Sequence, residues 1–580
     1  MGLRNGVVCD GLGLCKFSLF FKRVKSSLHV SRFALGVSKV LLVLVVLALV
    51  ASSVLTFAFF TLLNKQKEST QTTVAELSSS FTSSSTSYVS SQQKSLRIGI
   101  GIDADTLDPA GQTTTTISNI VRFMVESLFI IDIDGSVKPL LAESYNVSSD
   151  GKEYIVRLRK NIRFQDGTPF NATAVKFTFD RLLNPNVKVP GRAYYTVIQN
   201  VETVDTYTVK FVLKEPYAPF ITVLAFTQAG IVSPKAVSEL GDKIATTPLD
   251  IGTGPYKFKE WVKGDRIVLV RNENYWNGTP YFSELVFKVV PDAQTRTAML
   301  LAGDLDLIIQ PPATDVNTLK QRNDVKVFAV ASNRVMYIGI NTQWGPFKDV
   351  RVRKALNYAI DKEAIVKNVL FGLGQVMDSV LPAYSLGYVR LGPYPYDPAK
   401  AKELLKEAGY PNGFKVTLIT PTGRYLFDKQ VAEAIAQYLR EVGLEVEIRT
   451  YDWPTYVSTV LAPLNKTEVQ LFLLGWSPGS PDPHFYLYQR FHSTQFTPNG
   501  FNNFFYANAE VDRLLDEGVK VVDINLRSEI YRNASKLIWD DAPNIFLYIQ
   551  YFVIAHRADL TDVKVYPYEM FDVAQARLSS

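Results

Sequence analysis

The side chains best suited to catalysis or metal binding are few and dispersed. The four histidines, His29, His484, His492 and His556, lie too far apart in no ligating pattern, and neither His-Glu-x-x-His nor Gly-x-x-x-x-Gly-Lys occurs. Asp304 and Asp306 sit two apart on an expected strand and would share a face, where a solvated strand end explains them as well as paired acid–base chemistry does. Gly252-Thr-Gly-Pro-Tyr256 lacks the Lys-Ser/Thr that follows a phosphate cradle, so it reads as a tight turn. Both cysteines, Cys9 and Cys15, stand near the start of the chain, so no disulfide, thiolate metal site or cysteine nucleophile can form beyond them. These absences weigh against an enzyme and imply no cofactor and no metal.

Charge excludes a second class. The net charge is +6, but residues 1–39 hold seven Lys and Arg against Asp10 alone, leaving 55 basic and 55 acidic residues in the rest. The bulk of the chain is therefore neutral and has no field to hold nucleic acid. With 580 residues, 47% of them hydrophobic, it can bury at least two sizeable cores.

Val40 to Leu63 is a run of 24 residues without a charge. As a helix it would span about 36 Å, enough for a hydrocarbon layer of roughly 30 Å. Because the basic residues precede it, the positive-inside rule predicts a cytoplasmic tail at 1–39, a transmembrane anchor at 40–63 and an extracytoplasmic remainder. A cleaved signal peptide ending near Ala51 or Ala58 is the alternative. Neither cysteine follows the apolar run, which argues against a lipid anchor. Residues 64–95 contain 16 Ser or Thr in 32 and no Gly or Pro, the composition of a flexible tether. Asn146, Asn171, Asn277, Asn465 and Asn533 begin Asn-x-Ser/Thr sequons.

The elements that must position any site alternate between strand and helix. Asp397 and Pro398 predict a helix start and Gly409 its end. A strand over 414–420, a helix over about 428–441 stopped by Gly443, and a strand through Leu444, Val446 and Ile448 make a β-α-β unit, the building block of parallel sheets. Further strands are predicted at 154–158, 208–213, 267–270 and 285–289, with a turn at Asp166-Gly167. The architecture expected is α/β, with mixed sheets in more than one lobe.

A series of segments resembles one family. Leu141-Ala-Glu-Ser-Tyr-Asn-Val-Ser-Ser-Asp-Gly151 and Tyr154 through Phe170 are similar to the signature of extracytoplasmic solute-binding proteins of the peptide/nickel class of ATP-binding-cassette importers. In the same order come Leu107-Asp-Pro109, Gly252–Tyr256, Asn272-Glu-Asn-Tyr-Trp276, Phe347–Leu356 and Gly475-Trp-Ser-Pro-Gly-Ser-Pro-Asp-Pro483. The resemblance implies a two-lobed periplasmic-binding-protein-like fold, with lobe one at 96–332, lobe two at 333–545 and a return to lobe one at 546–580. The hinge is then crossed twice, and a ligand is trapped between the lobes.

The resemblance also implies the site and the partners. Thr113, Thr114 and Thr115 would offer main-chain hydrogen bonds to an extended ligand. Ligand contacts would come from Gly475, Trp476, Ser477, Gly479 and Asp482 too, with Trp476 offering a flat face unless it is a core tryptophan. Peptide binders of the family carry an Asp three residues after that Trp to pair with the ligand's α-ammonium, and here the position is Gly479. Asp482 is the first substitute expected. Without one, a neutral solute such as an oligosaccharide competes with an oligopeptide. The partners implied are such a solute, the permease subunits and the membrane. A stalked extracellular enzyme or a structural surface protein would have no need of these segments.

Overall fold

The computed structural model describes residues 94–111 and 114–579. The tail, the Val40–Leu63 run, nearly all of the tether and Thr113 lie outside the described residues. Among those described, no helix is long and apolar enough to cross a membrane.

The framework is one eleven-stranded mixed sheet. Its strand order is 445–451, 415–421, 471–476, 325–340, 544–557, 307–309, 95–100, 284–289, 266–271 and 256–262, with 374–376 also paired to 544–557. The predicted β-α-β unit forms one end. Lys415–Pro421 and Glu445–Tyr451 pair in parallel, and the helix Asp428–Glu441 joining them buries Val431, Ala432, Ile435, Ala436 and Leu439 at helical spacing. That helix starts without a side-chain cap at Phe427. Instead the Asp428 carboxylate accepts from the amides of Gly423, Arg424 and Tyr425. Gly443 follows at φ +104°, a backbone that glycine adopts without strain. Asp397 caps the helix Pro398–Glu407 as predicted.

The strand Ser95–Ile100 begins at the last residue assigned to the tether, with Ser95 in register with Glu284. Asp304 and Asp306 are not on a strand. They precede Leu307–Ile309, and buried Asp306 accepts from the backbone and guanidinium of Arg97 and from Arg557. This carboxylate is committed to pinning two strands.

Two long strands, Val325–Ile340 and Asn544–Arg557, run antiparallel through the middle of the sheet. Their outer halves pack with the core of Leu96, Ile98, Phe287 and Leu307, or with its satellite under Val325. Their inner halves enter the cores that hold Met336, Ile338, Val335 and Tyr337. Between these halves the pairing slips from Ala331 to Val335, a bulge that frees Ser332, Asn333 and Arg334 for other partners. A separate antiparallel sheet of 142–147, 153–158, 208–213 and 198–205 covers its own core with the helix Ala172–Leu183, capped by Asn171. Phe485, from the helix Pro483–Phe491, completes that core from far along the chain.

Candidate functional site

A cavity of about 640 Å³ is walled by segments distant in sequence, within the usual range of small-molecule sites. Thr114, Thr115 and Arg122, with Tyr566 and Asp572 of a C-terminal hairpin against Arg122, bound it on one side, and Trp476, Ser477 and Gly479 on another.

Most of the residues expected to meet a ligand are there, in altered roles. Thr114 is extended, but its hydroxyl caps the helix Thr115–Val121, so a strand-like ligand can pair with Thr114 and not onward along Thr115. Trp476 is partly buried; its indole N–H donates to the Phe485 carbonyl at 2.9 Å and its ring lies 5.0 Å from Phe501. Ser477 donates to Asn333 Oδ1 at 2.6 Å. Gly475-Trp-Ser-Pro-Gly479 also has the Gly-x-Ser-x-Gly spacing of hydrolase nucleophile elbows, but an amide oxygen is too weakly basic to activate that serine. Gly479 is exposed, and a Cβ placed on it meets nothing within 4 Å.

Two expectations are corrected. Gly475 does not line the cavity; a Cβ there would lie 2.6 Å from the Met336 sulfur and 2.9 Å from the Tyr425 ring, so the position is closed by packing. Asp482 does not line it either. Its carboxylate is buried, gripped at both oxygens by Arg527, and caps its own helix through the amide of His484. Off the cavity and with both oxygens engaged, it is not placed to anchor an ammonium there.

Three acids do line the cavity, Glu126, Asp132 and Asp572, and Glu126 is the most enclosed. It accepts from Thr253 Oγ1 at 2.7 Å, Tyr275 OH at 2.6 Å and Trp276 Nε1 at 2.8 Å. Burial pushes its pKa up despite these three donors. Thr253 comes from the Gly252–Tyr256 turn, whose glycines let the backbone approach Met124 and Phe123 closely. Tyr275 and Trp276 come from the Asn272–Trp276 segment, so two of the resembling motifs are explained by one buried carboxylate. Its sequence signal is slight: a single acid in the apolar run Phe123 to Phe129. Arg122, Asp572 and Lys564 carried no signal, because the chain brings them together from opposite ends.

This fold and cavity are those of a solute-binding protein. The family model described as "Bacterial extracellular solute-binding proteins, family 5 Middle" matches residues 136–498. The chain is 34% identical over 490 residues to the "Glutathione-binding protein GsiB" of Escherichia coli K12, covering 84% of this chain and 94% of that one. Among solved structures, HbpA2 of Haemophilus parasuis matches at TM-score 0.75 and 26% identity, over 84% of this chain and 100% of that one. The periplasmic binding protein DppA of Helicobacter pylori, in complex with the peptide STSA, matches at 0.69 and 28%, over 84% and 99%. The chain belongs to family 5 of the bacterial extracellular solute-binding proteins, the peptide/nickel class that serves ATP-binding-cassette importers, and is not an enzyme.

Proposed function

We propose that the chain captures short peptides outside the cytoplasm and passes them to an importer, with Val40–Leu63 as a membrane anchor and residues 64–94 as the tether. The observation that carries the peptide reading is the cavity wall: aromatic faces at Trp476 and Tyr566 suit side chains, while the charged groups Arg122, Asp572 and Glu126 suit peptide termini. Its relatives' names agree, one binding glutathione and another holding a tetrapeptide. Thr114, Thr115, Trp476, Ser477 and Gly479 are the contacts we assign.

The bulge at Ala331 to Val335 is the natural hinge between lobe one, at 96–332 and 546–580, and lobe two, at 333–545. Closure then buries the solute between walls that neither lobe supplies alone. Thermal-shift screening of di- to tetrapeptides, glutathione and oligosaccharides tests the ligand class. Stabilisation by oligosaccharides alone would replace the peptide reading with the sugar one. Protease added to intact cells tests the anchor: the folded part should be removed while a tag at residue 5 stays protected.

A further inference from the structure

Three largely shielded arginines, with side chains 7 to 14% exposed, are neutralised at short range by bidentate carboxylates. Arg181 holds Asp108 at 2.6 and 3.0 Å, Arg334 holds Glu569 at 2.7 and 2.9 Å, and Arg527 holds Asp482 at 2.7 and 2.8 Å. Arg122 differs. Its side chain is 14% exposed and faces the cavity, yet its one carboxylate neighbour, Asp572, is 3.5 Å away. Its other contacts are a long bond to the Phe571 carbonyl at 3.3 Å and the face of Tyr566, whose centroid is 5.1 Å from the guanidinium. These contacts orient the planar group without filling its five donors.

Asp572 is itself divided. One oxygen accepts from the amide of Ala574 at 2.8 Å, and the other faces Arg122. Directly across the hairpin from Asp572 stands Lys564, exposed and also lining the cavity. Two cations thus flank one carboxylate on this wall. Elsewhere on the lining Lys138 is paired with Asp132, and Glu126 is enclosed by three neutral donors. The excess positive charge is confined to the Arg122 wall.

We infer that Arg122, assisted by Lys564, is the anchor for a carboxylate of the captured solute, and that it selects free acids over their amides. A guanidinium fork matches a carboxylate bidentately, and a ligand oxygen at ordinary bonding distance would outcompete Asp572 at 3.5 Å. This rests on the peptide reading above and adds which end of the peptide is read and where.

Calorimetric titration of Met-Leu and glutathione, each beside its carboxyl-amidated form, tests it. Wild type should bind the acids about tenfold or more tighter than the amides, the scale of a charge-assisted bond. Arg122→Gln should remove that margin by weakening the acids far more than the amides, and the amide binding that remains also reports that the variant is folded. A wild type that does not discriminate, or an Arg122→Gln protein that still does, overturns the inference. Should Arg122→Gln fail to fold, Asp572→Asn decides: acids should gain severalfold over amides, and no gain overturns the assignment. Failure of all four probes, with oligosaccharide binding retained, removes the peptide reading and the anchor with it.

Discussion

Arg527 grips both carboxylate oxygens of Asp482, at 2.7 and 2.8 Å, and each side chain is only 7% exposed. Burial by itself would raise the Asp482 pKa, but the adjacent guanidinium and the His484 amide hold it below the ordinary carboxylate value. A carboxylate with a depressed folded pKa contributes stability above its unfolded value near 4, and that contribution is lost as pH falls through the folded value. Asp482→Ala leaves Arg527 buried and unpaired, so unfolding free energy should fall by about 3 to 5 kcal/mol in a denaturant titration. Because Asp482 lies off the cavity, the ranking of ligands should stay unchanged; a variant that folds stably and changes its preference for amines would return Asp482 to the site.

His484 should make the same region sensitive to mild acid. Its ring meets Tyr217 edge-on at 5.5 Å, tilts against Tyr488 at 5.1 Å, and has Asp482 and Arg527 nearby. Burial, aided by Arg527 and opposed by Asp482, pushes its pKa down to about 4. The unfolded chain therefore binds the proton first, near pH 6.5, and stability falls as pH drops from there toward 4, by up to about 3 kcal/mol. Denaturation midpoints measured across that window for wild type and His484→Phe should diverge, with the variant flatter. Parallel curves would show that the ring is not held neutral by the fold.

How much of this was legible follows from where each signal lives. Local signals survived: Asp397 caps its helix, the helix over 428–441 and the strand over 208–213 appear where spacing predicts them, because cap chemistry and apolar period act within a few residues. Asp304 and Asp306 misled because alternation in a short segment cannot distinguish a strand from the turn that precedes one. Asp482 misled for a different reason. Its partner Arg527 is 45 residues away, and no pattern in the chain announces that pairing. The same holds for Arg122 and Asp572, which only the tertiary fold brings to one wall.

Closure should be visible as a change of size. Trp476 ends the strand 471–476 that pairs with Val335–Ile340 just past the bulge, whereas Arg122 follows the helix Thr115–Val121, which packs in the core of Leu96 and Ile98, so on the proposed hinge the two walls belong to different lobes. A ligand that bonds to both walls must favour the conformation that brings them together. Small-angle scattering with and without saturating glutathione or Met-Leu, whichever titrates, should show a smaller radius of gyration in the bound state. An unchanged radius with binding confirmed in the same sample would count against a hinge at the bulge.

If the captured solute is a peptide, Gly479 should set the sign of selection at its amino end. The position faces the cavity and has room for a side chain, so Gly479→Asp can place a carboxylate there without displacing its neighbours. In wild type an ammonium brought to this wall meets no acid at 479, while an acetylated terminus loses nothing. Wild type should therefore bind amino-acetylated Met-Leu at least as well as the free amine. In Gly479→Asp the new carboxylate attracts the ammonium and is left desolvated and unpaired against the acetylated form, so both effects favour the free amine. Calorimetry should show the order reversed, by roughly tenfold if the new pair is well shielded from water. A wild type that already prefers free amines strongly would move the amino anchor to another acid of the lining, with Glu126 first, since its cage of Thr253, Tyr275 and Trp276 holds it at the cavity wall. Glu126→Gln should then abolish the preference that Gly479 does not create.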